Sequence, residues 1–169
     1  MKIATWNVNS IKIRLPALLD WLKAAEPDVL LLQEIKTTAE QFPWLEIESA
    51  GYRTAVVGQP GYNGVAILSR APILEVCEAL PGDPDDSQAR YIEASIADLR
   101  IASAYIPNGN PIDSPKDPYK LAWLDRLRRH AEQLLASERP FVIAGDFNVI
   151  PGELDAWDPA QWENDALYA

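Results

Sequence analysis

A single cysteine, Cys77, and a single histidine, His130, stand among 169 residues. One cysteine excludes an intramolecular disulfide and any zinc site built from several thiolates, and it points to a reducing, cytoplasmic compartment. No apolar run approaches the roughly 18 residues that a membrane span requires; DVLLLQ, residues 28–33, is far shorter. The opening MKIATWNVNS has neither the basic head nor the continuous apolar stretch of a secretory signal. Positive charge is scarce as well. Fifteen Lys and Arg against 25 Asp and Glu leave a net charge of −10. A protein that holds nucleic acid by neutralising phosphates should be basic, at least locally, so composition alone argues against such a partner. A bound divalent cation can nevertheless supply charge that side chains do not. What is present is ordinary globular composition, 48% hydrophobic and 24% charged. That is enough to bury a core without covalent staples, and the length suggests one domain.

Patterning along the chain reads as α/β. Residues 2–8 alternate as a strand with Ile3, Thr5 and Asn7 on one face. Leu15, Leu18, Leu19 and Leu22 repeat at helical spacing, with Pro16 suited to a first turn and Glu26-Pro27 closing the helix. DVLLLQE, residues 28–34, reads as a buried strand. Thr37 to about Leu45 reads as a short helix. Strand-like runs follow at 52–58, 64–69, 73–79, 91–97 and 100–106, parted by turn clusters such as QPGYNG and PGDPDD. Pro118 to Ser137 is the strongest helix, with an apolar stripe through Leu121, Leu124, Leu127, Ala131, Leu134 and Leu135. FVIA, residues 141–144, is a further strand, and the tail beyond Pro151 shows no period. No repeat or linker divides the chain.

The informative feature is what ends the strands. Residues 2–8 deliver Asn7, DVLLLQE delivers Glu34, and FVIAGDFN delivers Asp146 and Asn148. An extended chain would point the last two to one face. Any one of these is most simply a turn or capping residue. Together, at the ends of interior-looking strands, they suit a hard cation, because buried carboxylates are rare unless paired or ligating metal. Oxygen ligands favour magnesium or manganese over zinc.

ATWNVNS, LLLQEIK, GYNGVAILSR, AYIPNG and AGDFNV, in that order, resemble the successive motifs of the exonuclease III branch of the endonuclease/exonuclease/phosphatase superfamily. LQEIK, YIPNG and NGVAILSR are most similar to the bacterial apurinic/apyrimidinic endonucleases. The resemblance implies a four-layer α/β sandwich of the DNase I-like kind. It implies a magnesium-dependent DNA repair nuclease, with manganese as the other metal, acting on double-stranded DNA at abasic sites or 3′ ends. Asn7, Glu34, Asp146 and Asn148 would form the metal site. Glu34 would be the principal ligand, Asn7 would orient the site, and Asn148 would hold phosphate or metal through its amide. Tyr105 would contact the scissile phosphate, and Asp146 would also position the attacking water or protonate the leaving group. Lys36 and Arg90 would touch the DNA backbone.

The family pattern also calls for a terminal Ser-Asp-His segment that this sequence lacks. His130 lies in the helical run LDRLRRHAEQLL and reads as a packed or solvated helix residue, and Cys77 reads as a small strand residue. The expectation is therefore the N-terminal part, residues 1–169, of one such domain, with little nuclease activity of its own. Trp157 and Trp162, in the tail, would cover a sheet edge or remain exposed. Two other readings stand beside this one. One keeps the fold and moves the reaction to a lipid, inositol or small-nucleotide phosphate ester, which the acidic balance favours. The other is a non-catalytic binding fragment, which the missing histidine motif favours.

Overall fold

In the computed structural model, which describes residues 1–168, two four-stranded sheets pack face to face between helices. The elements run β1 (Ile3–Asn7), α1 (Ile11–Ala25), β2 (Val29–Gln33), α2 (Trp44–Ser49), β3 (Arg53–Val57), β4 (Val65–Ser69), β5 (Leu74–Cys77), β6 (Tyr91–Ile96), β7 (Leu99–Tyr105), α3 (Lys116–Ala136) and β8 (Phe141–Asp146). The strand orders are β1-β2-β4-β3 in the first sheet and β5-β6-β7-β8 in the second. β1 pairs parallel with β2, and β7 parallel with β8. No described helix is long and apolar enough to cross a membrane.

Period-two alternation assigns each strand residue to a layer. Leu30, Leu32, Ala66 and Leu68 meet Ile11, Leu18 and Leu22 of α1 and Ile47 of α2 in an outer core. Val29, Leu31, Val65 and Ile67 face Ile92, Ala94, Ile96 and Ile101 across the gap between sheets. Ala102 and Ala104 pack against Trp123 and Leu127 of α3. β2 is buried on both faces, which explains its unbroken apolar sequence. The result is the four-layer sandwich expected of the resemblance.

The strand runs fall where the alternation puts them; the helices depart in three places. α1 starts at Ile11, so Pro16 sits inside the helix rather than in its first turn. It ends where Glu26 turns left-handed, at φ 45°, ahead of Pro27. Residues 37–45 form only a single 3₁₀ turn at Ala39–Gln41, and α2 begins later, at Trp44. α3 is rotated from its leucine stripe: Lys120, Trp123 and Leu127 are buried, while Leu121 and Leu135 are exposed. A tryptophan removes more apolar surface from water than a leucine does, so Trp123 sets the inward face. In the tail, Trp157 is fully exposed and Trp162 half-buried.

One polar bridge crosses the inter-sheet core. The buried Gln33 amide donates to Ser103 Oγ (3.0 Å) on the facing sheet and pairs with Thr5 Oγ1 (3.1 Å), while Ser103 donates to the Leu32 carbonyl (3.0 Å). Gln33→Ala leaves the buried Ser103 hydroxyl with the Leu32 carbonyl alone as its partner, at a cost of about 1–3 kcal/mol. The check is a lower urea midpoint with an unchanged denaturant slope.

Candidate metal and phosphate site

The parallel pairs put the carboxyl ends of β1, β2, β7 and β8 at one mouth of the sandwich. Asn7 ends β1 opposite Gln33, and Tyr105 ends β7 opposite Asp146. Asn7 lies two residues beyond Thr5 on the alternation that faces the second sheet, and Asp146 lies two beyond Ala144 on the alternation that faces the first. Their side chains meet. Asn7 Nδ2 donates to Glu34 Oε1 and to Asp146 Oδ2, both at 2.8 Å. Residues 139 apart in sequence are thus joined through one amide. Asn7 Oδ1 accepts the Asn9 N–H at 3.1 Å, so Asn7 turns its donors, not its lone pairs, toward the two carboxylates.

Glu34 follows β2 in the left-handed region, φ 52°, and Lys36 does the same at 51°. Such backbone costs on the order of 1–3 kcal/mol per residue and persists only where its surroundings hold it. Four backbone bonds do so here. The Ile35 and Lys36 N–H groups donate to the carbonyls of Gly64 (3.1 Å) and Asn63 (2.9 Å). The Ser10 and Ile11 N–H groups donate to those of Glu34 (2.8 Å) and Ile35 (3.1 Å). Gly64 must be glycine, because at φ 89° a Cβ would stand 2.4 Å from Ile35 Cγ1. Gly145 is required for β8 to reach the site, since its Cβ would lie 1.9 Å from the Ala104 carbonyl oxygen.

Electrostatics fix the charge states. Burial acts to raise the Glu34 pKa. Hydrogen bonds from Asn7, Lys36 and Tyr105, with the Lys36 charge, outweigh it and hold Glu34 ionised below its ordinary value. Lys36 Nζ sits 2.9 Å from Glu34 Oε2 and donates to Asn9 Oδ1 at 2.6 Å. The Tyr105 phenol is pushed up to about 12 by burial, by the charge and hydrogen bond of Glu34 and by Asp146, against the pull of Arg90. It therefore keeps its proton at neutral pH. Arg90 lies over the Tyr105 ring, 4.9 Å from its centroid, and donates to the Tyr105 carbonyl at 3.3 Å.

Asp146 and Asn148 do not share an extended face. Asn148 turns left-handed, φ 48°, donating its backbone N–H to Asp146 Oδ1 (3.1 Å) and its amide to the Ile106 carbonyl (2.8 Å). Asn7, Glu34, Lys36, Tyr105 and Asp146 form one connected cluster, with Arg90 on its Tyr105 side and Asn148 behind Asp146. Asn9 and Gln33 were not singled out in the sequence. Asn9 carries no periodic signal, and Gln33 closes an apolar run next to the more conspicuous Glu34. His130 lies elsewhere, on α3, with Nε2 2.6 Å from Glu93 Oε2.

Among the described residues no three His, Cys, Asp or Glu groups stand together as a metal cage. An ionised Glu34, with Asp146 held beside it by Asn7, is an oxygen donor set. It fits magnesium, which keeps several waters and needs only one or two carboxylates. It does not fit a structural zinc site, which needs four closed ligands. Beside Tyr105 opens a groove of about 340 Å³ lined by Tyr62, Asn63, Gln88, Arg90, Lys116 and Tyr119 among others. Two cations, amides and phenols give this acidic chain a locally basic, aromatic-lined surface.

The model of the endonuclease/exonuclease/phosphatase family matches residues 4–166. Exodeoxyribonuclease III of Haemophilus influenzae is 32% identical over 160 residues, which are 92% of this chain and 60% of that protein. The 3′ phosphatase NExo from Neisseria, solved bound to a product DNA hairpin, superposes with a TM-score of 0.94 at 38% identity over 99% of this chain and 65% of its own. An AP endonuclease from Archaeoglobus fulgidus gives 0.94 and 38% over 100% of this chain and 65% of its own. The chain thus spans about three fifths to two thirds of the length of these relatives.

Proposed function

Because this chain belongs to the endonuclease/exonuclease/phosphatase family, we propose that its Glu34-centred site binds a divalent cation, magnesium or manganese, and serves the hydrolysis of DNA phosphodiester bonds in repair. The substrate in this reading is double-stranded DNA, cut beside abasic sites and trimmed from 3′ ends. The observation that carries it is the Asn7 amide joining Glu34 to Asp146 at 2.8 Å each, with Tyr105 paired to Asp146 at the ends of β7 and β8. The relatives, an exodeoxyribonuclease, a 3′ phosphatase solved with product DNA and an AP endonuclease, support the substrate class.

Bound at Glu34, the cation would neutralise charge developing on the phosphoryl oxygens and polarise them. The chain's own side chains do the rest. Glu34 stays ionised through the donors of Asn7 and Lys36, which leaves the single Tyr105 O–H to turn to the substrate. Tyr105, neutral at physiological pH, donates its phenolic proton as a hydrogen bond to a phosphate oxygen. Asp146 Oδ2 is fixed by Asn7 and Oδ1 by the Asn148 N–H, so its carboxylate is aimed to accept a hydrogen bond from the attacking water. Lys36 and Arg90 meet the backbone charge of the strand. Fixed donors around a developing charge form the largest catalytic contribution open to a site of this kind.

The test is a duplex carrying one abasic site, incubated with the chain and magnesium. Incision at that site, stopped by chelation and slower than that of a full-length relative, is the expected result, because the chain's one histidine is committed to Glu93. Metal-dependent duplex binding without any incision would make the chain a binding module. Hydrolysis of an inositol phosphate with none of DNA would transfer the reaction to another substrate.

A further inference from the structure

The loop between β5 and β6 contains the run PGDPDD, residues 81–86, which by composition should be loose, yet it carries Gln88 and Arg90 to the site. Its anchor is Asp86, whose side chain is 7% exposed although most of the neighbouring loop residues are open to solvent. Arg126 of α3, itself 10% exposed, donates from Nη1 to Asp86 Oδ2 at 2.8 Å and from Nη2 to the Leu80 carbonyl at 2.6 Å. Tyr119, two turns earlier on the same face of α3, donates its hydroxyl to Asp86 Oδ1 and Oδ2 at 3.0 and 3.1 Å.

From Asp86 the contacts run unbroken to the site. Asp86 Oδ1 accepts the Gln88 backbone N–H at 3.2 Å. Gln88 Oε1 then accepts Arg90 Nε at 2.7 Å and Asn63 Nδ2 at 3.2 Å. Arg90 covers the Tyr105 ring, and the Asn63 carbonyl holds the Lys36 N–H. We propose that Asp86, clamped by Arg126 and Tyr119, is a positioning residue that sets Arg90 over Tyr105 and thereby shapes the DNA-facing side of the site. Asp86 touches no reacting atom in this scheme and acts through Gln88 and Arg90. The inference rests on the nuclease reading for what Arg90 and Tyr105 contact; the geometry of the clamp does not.

Two readouts on the full chain test it. The first is the Tyr105 ring resonance in ¹³C-tyrosine-labelled protein, assigned by its loss in Tyr105→Phe. Asp86→Ala is expected to shift that resonance in the same direction as Arg90→Ala, and Tyr119→Phe to shift it less. The second is affinity for an abasic duplex with magnesium. Asp86→Ala is expected to weaken binding about threefold to tenfold, the scale of one lost polar contact, and to add nothing in an Arg90→Ala background. An unmoved Tyr105 resonance in folded Asp86→Ala, or losses that multiply in the double variant, would overturn the proposal. If the wild type binds no duplex, the DNA reading fails and the resonance alone decides the positioning role. If Asp86→Ala does not fold, Tyr119→Phe, which deletes one hydroxyl, carries both readouts.

Discussion

Glu34→Gln is expected to lower magnesium affinity about tenfold to a hundredfold, the worth of one charge-assisted contact. Hydrolysis on the proposed substrate should fall by about 10²–10³, as when one transition-state stabiliser is removed. The substitution is isosteric. The new amide still presents an oxygen to Asn7, but it loses the attraction for Lys36, whose Nζ lies 2.9 Å from Glu34 across a partly exposed pair. Pairs of that exposure contribute about 0–1 kcal/mol, so the melting temperature should change little. Isothermal titration with magnesium and a thermal melt on the same sample separate the outcomes. Unchanged metal affinity with reduced stability would make Glu34 a structural carboxylate.

Arg100→Met is the largest effect expected on folding. Glu93 is 3% exposed and meets Arg100, Tyr91 and His130, with Arg100 also donating to Ser95 Oγ (3.1 Å) and the Glu75 carbonyl (2.8 Å). Removing one partner of a buried ion pair costs about 3–5 kcal/mol, against a total stability of about 5–15 kcal/mol for a domain. Urea unfolding should show a midpoint displaced accordingly.

The same cluster sets a pH dependence. Burial acts to raise the Glu93 pKa, but hydrogen bonds from Tyr91, His130 and Arg100 and the Arg100 charge together hold it below its ordinary value. Because the folded-state pKa lies under the unfolded one, the stabilisation is complete above the ordinary carboxylate range. It is lost as pH falls through the folded pKa. Glu93→Gln should therefore be less stable than the wild type at neutral pH, and the gap should narrow as the medium is acidified. Urea midpoints measured across that range check the sign. A gap that widens on acidification would contradict it.

The sequence made the sheets legible because period-two alternation and buried runs survive without tertiary context. Ile3, Thr5 and Asn7 share the inter-sheet side of β1, and Glu34 follows β2 where the apolar run stops. The helices were less readable. Leucine spacing alone placed the core stripe of α3 through Leu121 and Leu135, whereas Trp123 and the buried Lys120 define the inward face. Lys120 is there because Nζ reaches the Asn148 carbonyl at 2.8 Å, a long-range partner that no local pattern reveals. The site residues could be nominated as strand-end oxygens. Their convergence could not, since the Asn7–Asp146 bond closes 139 residues of chain. Asn9 and Gln33 lie within the ATWNVNS and LLLQEIK motifs and Asp86 within a turn cluster, but each takes its role from contacts distant in sequence. Of the two readings of His130, packed or solvated, the packed one holds, with a buried carboxylate as its partner.

The net charge of −10 disfavours nucleic acid as a partner unless a cation at Glu34 supplies the missing positive charge. Titrating magnesium against the affinity of the chain for an abasic duplex tests this most directly. The account predicts that binding strengthens as magnesium is added and that this gain disappears in Glu34→Gln. Equal duplex affinity in chelator and in magnesium, or a gain that persists in Glu34→Gln, would contradict it.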